Sequence, residues 1–186
     1  MITFKTTTIM AKQQWVLDPS HSELGFKIRH LMITNVSGKF NDFTVDAETE
    51  GEDFMTAKVK VAIDVDSINT GSADRDKHLR SPEFFDVNAY RNITFVATRY
   101  ESVDGDGSYE LYGDLTIRDV TKNIKLDIEF GGVVKDPWGN TKAGFTINGK
   151  INRKDFGLTW NAATETGGVM VGDEVKINGE VQLIKK

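Results

Sequence analysis

Five polar side chains in two short stretches of the sequence are of types that could bind a charged or polar group: His30, Arg75, Asp76, His78 and Arg80. Arginine and protonated histidine bind a phosphate or a quinone oxygen through charge-assisted hydrogen bonds. An acid between arginines is equally typical of a structural network that fixes one segment to the rest of the protein. Both interpretations can hold together, because a network at the mouth of a cavity would also orient a ligand headgroup.

The histidines of the chain, His21, His30 and His78, are the imidazoles from which a metal site could be built. Three imidazoles can hold zinc with one open position, and such a site would make the protein a metal-assisted enzyme. Their spacing matches no short metal motif, such as two histidines on one helical face. A histidine at a strand end is more often hydrogen-bonded in a structural role, so we expect no metal and no other cofactor.

The sequence offers little for covalent or acid–base catalysis. Ser20, His21 and Ser22 are neighbours in the chain rather than a triad, and the Gly-x-Ser-x-Gly motif is absent. The chain has no cysteine, which excludes thiolate catalysis, disulfides and cysteine-ligated zinc. We therefore expect a binding protein without catalytic residues.

The segment Ser67–Asp86, which carries most of the polar candidates, is the least strand-like part of the chain. Ser72 can cap a helix, which we predict over Ala73–Leu79. A serine followed by proline then predicts one further turn over Pro82–Phe85. In a chain that is otherwise sheet, such a helical segment is expected to plug or cover the mouth of a cavity.

Alternating apolar and polar residues on both sides of this segment predict β-strands. Leu24, Phe26 and Ile28, for example, fall on one face of a strand over Glu23–His30. The sequence Asp-Gly-Asp-Gly at Asp104–Gly107 is a strong hairpin signal. Because short hairpins join the strands, neighbouring strands should be antiparallel.

About eight such strands with one apolar face are expected to close into a β-barrel, because closure removes exposed edges. An eight-stranded barrel is just wide enough to be filled by side chains or to hold one slender ligand. The aromatic residues that we expect to contact an apolar ligand tail inside it are Phe26, Phe40, Phe95, Phe145 and Trp160. Alternation cannot distinguish a filled barrel from a hollow one, so a solid core stays open as the alternative.

The composition predicts one domain after a short polar tail. We assign residues 1–13 to a flexible tail and residues 14–186 to a single barrel domain. The net charge of −5 disfavours nucleic acid as a partner, because phosphates require a basic face. No run is apolar enough to span a bilayer, and the N-terminus lacks the apolar core of a secretory signal. We expect a cytoplasmic protein, or a periplasmic one if an export signal is missing from this sequence.

Two long stretches of the chain resemble a known family: HSELGFKIRHLMITNVSGKF (His21–Phe40) and RDKHLRSPEFFDVNAY (Arg75–Tyr90). They resemble the YceI-like family of lipocalin-like, polyisoprenoid-binding proteins, and the resemblance runs from about Trp15 to Leu183. The family usually has other residues, proline and glycine respectively, where this chain has Arg91 and Asp119. Both departures lie in expected turns.

The resemblance implies a lipocalin-like closed barrel and a soluble protein that carries or stores a long isoprenoid-type lipid or a quinone. The tail would lie in an apolar cavity and the headgroup near the helical segment, and a homodimer is compatible with this family. Two alternatives stay open: the metal-assisted enzyme described above, and a stress-related interaction module whose barrel is solid.

Overall fold

A computed structural model of the chain describes residues 8–186, and in these residues almost every element is a β-strand. The strands are β1 (Lys12–Leu17), β2 (Glu23–His30), β3 (Thr34–Phe40), β4 (Phe43–Glu50), β5 (Asp53–Asp64), β6 (Ile68–Asn69), β7 (Asn92–Ser102), β8 (Ser108–Ile117), β9 (Val120–Lys135), β10 (Thr141–Asn152) and β11 (Val171–Lys185). One α-helix, α1 (Ala73–Arg80), follows β6, and three short 3-10 turns cover Pro19–His21, Val65–Ser67 and Arg153–Phe156.

Eight of the strands close into an antiparallel barrel, as predicted from the sequence. The ring runs β1-β4-β5-β7-β8-β9-β10-β11 and returns to β1. The closing pair joins Trp15 to Lys185 and Leu17 to Leu183. The remaining long strands, β2 and β3, form a hairpin that adds to the free part of β11, where Phe26 pairs with Ile177. This hairpin extends the wall at one end of the barrel.

The ends of the barrel follow from the strand directions. One end, which we call the mouth, holds the start of β11, the end of β10, the β8–β9 turn and the start of β7. The opposite end, which we call the base, holds the β7–β8 turn, the β9–β10 turn and the start of β1. Helix α1 lies at the mouth, since its residues Arg75 and Leu79 border the interior there.

Element boundaries differ slightly from the sequence predictions. Helix α1 ends at Arg80, one residue later than expected, and Ser72 caps it by accepting a hydrogen bond from the backbone N–H of Arg75. Strand β1 begins at Lys12, so the last two residues of the predicted tail belong to the sheet. Residues 1–7 of that tail lie outside the described residues.

The base of the barrel is filled by aromatic side chains. Trp15 is fully buried and packs on Phe54 with ring centroids 4.9 Å apart. Phe54 also contacts Phe145 at 4.9 Å and Phe130 at 5.4 Å. The indole N–H of Trp15 donates to the buried hydroxyl of Thr49 at 2.9 Å, so the one polar atom of this ring is satisfied. Phe54 thus joins the other three rings into one packed cluster, and none of the four rings borders the cavity described below.

A buried ion pair fixes the wall of the base. The Asp18 carboxylate accepts hydrogen bonds from Lys142 at 2.7 Å and from the Ser20 hydroxyl at 2.7 Å, and it contacts Nδ1 of His21 at 2.8 Å. Burial acts to raise the pKa of Asp18, but these hydrogen bonds outweigh it and hold the pKa well below its usual range. The network ties the β1–β2 junction to β10.

Two glycines inside strands make room for aromatic rings rather than for a sharp bend. A Cβ on Gly38 would come within 2.4 Å of the Phe26 ring, and a Cβ on Gly113 within 2.2 Å of the Phe95 ring. Each ring therefore lies flat over the bare backbone of the neighbouring strand. These contacts set the positions of two aromatic side chains that face the interior.

Candidate ligand-binding cavity

The mouth half of the barrel encloses an apolar cavity of about 530 Å³. This volume lies within the range typical of small-molecule and cofactor sites, about 300–1,000 Å³. A close-packed barrel would leave no such space. The interior is therefore divided into a filled base and a hollow mouth half.

Most of the cavity wall consists of branched aliphatic side chains that alternate along the strands. They come from every long strand around the barrel, so no side of the cavity is polar. The main ones are Leu24, Ile28, Val45, Val61, Ile63, Leu115, Ile117, Leu126, Ile147, Ile151, Val175, Ile177 and Val181. Such a wall offers burial to a hydrocarbon chain and almost no hydrogen bonds along its length.

Four of the five aromatic residues proposed from the sequence border this cavity: Phe26, Phe40, Phe95 and Trp160. Phe145 does not, because it belongs to the aromatic cluster at the base and stacks on Phe130 at 5.2 Å. The alternation of apolar and polar residues predicted that Phe145 faces the interior. It could not predict how far along the barrel axis Phe145 lies. Its place is the floor of the cavity rather than the lining.

The polar candidates divide into two groups at the mouth. His30, Arg75 and His78 border the cavity, whereas Asp76 and Arg80 do not. On α1, residues three apart share a face, so Arg75 and His78 point together toward the interior. The helical spacing alone therefore predicts that Arg75 and His78 lie on a different face of α1 from Asp76 and Arg80.

Asp76 and Arg80 anchor the helix. The buried Asp76 carboxylate accepts hydrogen bonds from the backbone N–H and the hydroxyl of Thr70. Arg80 donates to the carbonyl oxygens of Asp66 and Ile68, each at 3.0 Å. Both side chains thus hold α1 against the segment that precedes it, which is the structural role considered from the sequence.

Arg75 combines anchoring with exposure to the cavity. Its Nε donates to the Thr70 hydroxyl at 2.7 Å and its Nη2 donates to the Thr70 carbonyl at 2.8 Å. These two bonds use one edge of the guanidinium and fix its plane. Arg75 is exposed and borders the cavity, so the remaining donors of its fork are placed at the mouth.

A small aromatic cluster lies beside this arginine. The His78 ring meets Trp160 edge-on at 4.8 Å and Phe84 edge-on at 5.0 Å, and Phe84 contacts Trp160 at 5.4 Å. His78 Nε2 also pairs with the Glu83 carboxylate at 2.5 Å. The cluster links α1 to the loop after the Arg153–Phe156 turn, so the helix and this loop close the mouth together.

Sequence reasoning missed Arg153, which is buried and borders the cavity. Its guanidinium donates to the carbonyl oxygens of Gly172 at 2.7 Å, Leu158 at 2.5 Å and Trp160 at 2.9 Å. Burial lowers the pKa of Arg153, and the neighbouring Asp173 opposes that shift. An arginine in the polar run Asn-Arg-Lys-Asp looks like an exposed turn residue, so no local pattern indicates this role.

The three histidines do not come together. His21 lies at the Asp18 network, whereas His30 and His78 border the cavity. Across the described residues 8–186, no group of three or more His, Asp or Glu side chains is arranged to hold a metal ion. Ser20 and Asp18 also contact the same nitrogen of His21, which is not the geometry of a proton relay between the two ring nitrogens.

In the part of the chain that the structure covers, no helix is both long and apolar enough to cross a membrane. The strands form a closed antiparallel barrel with an apolar cavity, and helix α1 lies at its mouth. This is a lipocalin-like architecture.

The chain belongs to the YceI-like domain family, whose model matches residues 15–183. It is 40% identical over 169 residues to the UPF0312 protein SAS2572 of Staphylococcus aureus, covering 90% of this chain and 95% of that one. A YCEI protein of Campylobacter jejuni of known crystal structure is 38% identical, with a TM-score of 0.72 over 91% of this chain and 96% of that one.

One more distant structure shares the fold. A polyisoprenoid binding domain from Saccharophagus degradans is 14% identical and superposes with a TM-score of 0.63, covering 92% of this chain and 98% of that one. At this identity the likeness concerns the fold alone.

Proposed function

We propose that this protein binds one long isoprenoid-type amphiphile, with the tail in the cavity and the headgroup at the mouth beside α1. The observation that carries the proposal is the apolar cavity of about 530 Å³ above a floor of packed aromatic rings. A floor at one end and a polar rim at the other give a ligand a direction. Carriage or storage of a lipid, rather than catalysis, is the role that fits such a site.

Burial of the tail supplies the affinity. Each methylene removed from water contributes about 0.8 kcal/mol, so ten buried carbons contribute roughly 8 kcal/mol before the cost of ordering the chain. That gross figure corresponds to about micromolar affinity. No catalytic group or metal is needed to reach it. Branched aliphatic walls also suit a methyl-branched chain, because both surfaces are irregular on the scale of one methyl group.

The mouth supplies the recognition of a polar headgroup. Arg75 is fixed by Thr70 and presents its remaining donors, while His30 and His78 border the same opening. These groups can bind a phosphate or a quinone oxygen. Asp74 also borders the cavity, so the rim is not uniformly basic and a neutral oxygen headgroup is compatible with it. The related fold in the Saccharophagus degradans polyisoprenoid binding domain supports the isoprenoid class of tail.

The proposal is tested by filling the cavity. Val61 borders the cavity on β5, and Val61→Trp places a large ring in the space proposed for the tail. Lys60→Trp is the matched control, because Lys60 is the exposed neighbour on the same strand and faces outward. We expect a fluorescent isoprenol to bind the wild type and Lys60→Trp equally, and Val61→Trp at least 100-fold more weakly. Equal binding by both variants would contradict a tail in this cavity.

A further inference from the structure

The tip of the β2–β3 hairpin presents large apolar side chains to solvent at the mouth. Leu31 is 39% exposed, Met32 55% and Ile33 72%. Val169, on the loop that follows the Arg153–Phe156 turn, is 43% exposed. The backbone N–H of Leu31 donates to the carbonyl of Met170 at 2.8 Å, so the hairpin tip lies against this loop, and we call Leu31–Ile33, Val169 and Met170 together the patch.

The backbone of this tip is held in a conformation that its residues do not favour. Leu31 and Met32 both have positive φ, 51° and 59°. A turn with positive φ at both central residues normally takes Asn-Gly or Asp-Gly, since bulky residues are disfavoured there. Met32 is more than half exposed, so its side chain recovers little of this cost by burial within the chain. Large exposed apolar residues at a strained turn therefore indicate a contact outside this chain.

The tip is fixed by its surroundings, so it presents the same surface continuously. The Arg29 guanidinium donates to the carbonyl of Met32 at 2.9 Å. The backbone N–H of Ile33 donates to the carbonyl of His30 at 3.2 Å. Strand β3 pairs with β6 only through Lys39 and Phe40, so beyond those residues its outer edge projects from the barrel wall. The exposed apolar side chains of the tip are therefore held at the outer edge of the mouth.

The patch is continuous with the cavity. His30 precedes the tip and borders the cavity, and Met170 borders it as well. Met170 therefore connects the exposed tip to the rim of the cavity. Three side chains on a convex turn are too few for a stable protein interface, which takes about 800 Å² from each partner. They are sufficient to enter the interfacial layer of a bilayer.

We propose that the tip Leu31–Ile33, with Val169 and Met170, is the element that docks this protein on a lipid bilayer for exchange of its cargo. The choice of a bilayer rests on the proposed lipid cargo. With a net charge of −5, the chain gains nothing overall from an anionic surface. Docking is therefore driven by apolar insertion and depends little on ionic strength.

The absence of cysteine allows a direct test. A single cysteine introduced as Ile33→Cys is labelled with an environment-sensitive fluorophore, and Val103→Cys is the control. Val103 is similarly exposed, at 62%, but lies on the β7–β8 turn at the base. We expect phosphatidylcholine vesicles to shift the emission of the probe at position 33 to shorter wavelength, equally in low and high salt, and to leave the probe at position 103 unchanged.

Two outcomes would overturn the docking proposal. One is a probe at position 33 that does not respond to vesicles, or that responds no more than the probe at 103. The other is a response at 33 that appears without vesicles and grows with protein concentration, which would assign the patch to a second copy of the chain.

A transfer measurement separates docking from cargo binding. We expect Ile33→Glu to slow uptake of a fluorescent isoprenol from vesicles at least tenfold, and to leave binding of the same isoprenol from detergent-free dilution unchanged. Val103→Glu should behave as the wild type in both. Normal uptake from vesicles by Ile33→Glu would contradict the docking proposal and leave the proposed cargo unaffected. If no variant binds isoprenol but the probe at position 33 responds normally to vesicles, the proposed cargo would be contradicted and the docking proposal would stand.

Discussion

The base and the mouth half of this barrel share most strands of the ring, yet one is filled and the other is hollow. The base receives Trp15, Phe54, Phe130 and Phe145, whose rings lie about 5 Å apart. The mouth half receives mainly valine, leucine and isoleucine. At the mouth the β2–β3 hairpin, rather than β1, lies beside β11 and lines the cavity, so the additional strand in the wall and the smaller inward side chains together leave space there. The base supplies stability, and the mouth half keeps the volume that a ligand needs.

The largest effect should come from emptying the base. Phe54→Ala removes a ring that contacts three others, and we expect it to lower the free energy of unfolding by about 4 kcal/mol. Phe26→Ala is the matched change in the mouth half, where the ring already borders an open volume, and should cost about half as much. Urea unfolding of both variants measures the difference. Equal losses would show that the two halves are packed alike.

The next effect concerns the ion pair in the wall of the base. Asp18→Asn leaves Lys142 without its closest carboxylate, and we expect a loss of about 3 kcal/mol at neutral pH. Because the folded pKa of Asp18 is lowered, its contribution is present above the unfolded pKa of about 4 and is lost as the pH falls below that value toward the folded pKa.

Thermal unfolding between pH 7 and pH 2 tests this pH dependence. The difference between wild type and Asp18→Asn should shrink as pH falls. A difference that stays constant across this range would show that the carboxylate charge is not the stabilising feature.

Filling the mouth half should weaken ligand binding without unfolding the barrel. Val61→Trp replaces empty volume with a ring, so we expect the free energy of unfolding to stay within about 1.5 kcal/mol of the wild type. The same change should reduce isoprenol affinity at least 100-fold, as described above. A strongly destabilised Val61→Trp would indicate that the cavity is smaller or more rigid than it is in this structure.

The smallest effect should distinguish headgroups. Arg75→Gln removes a charged donor that borders the cavity, and we expect about tenfold weaker binding of an isoprenyl phosphate with little change for the corresponding alcohol. Arg80→Gln is the control, because Arg80 only anchors α1 and should not alter the ratio of the two affinities. Paired titrations with both ligands measure that ratio. If only Arg80→Gln changes the ratio, Arg80 rather than Arg75 contacts the headgroup, and the proposal for Arg75 is wrong.

Much of the fold could be predicted from local sequence patterns, but the presence of the cavity could not. Alternation predicted the strands, and the Ser72 cap predicted α1 to within one residue. The depth of Phe145 could not be predicted, because it depends on the stagger of strands far apart in sequence. Because strand stagger could not be predicted, a filled interior could not be distinguished from a hollow one. The burial of Arg153 could not be predicted either, because it depends on carbonyl groups that only the folded loop brings together.

The most direct test of whether the cavity in the mouth half holds a lipid uses protein purified without detergent. The protein is extracted with organic solvent, and the extract is analysed by mass spectrometry. We predict that the wild type and Lys60→Trp yield an isoprenoid-type lipid at close to one molecule per chain, and that Val61→Trp yields almost none. A wild-type extract without lipid, from protein that also fails to take up a labelled isoprenoid, would contradict the proposed cargo. So would equal amounts of lipid from Val61→Trp and the wild type, because the lipid would then lie outside the cavity.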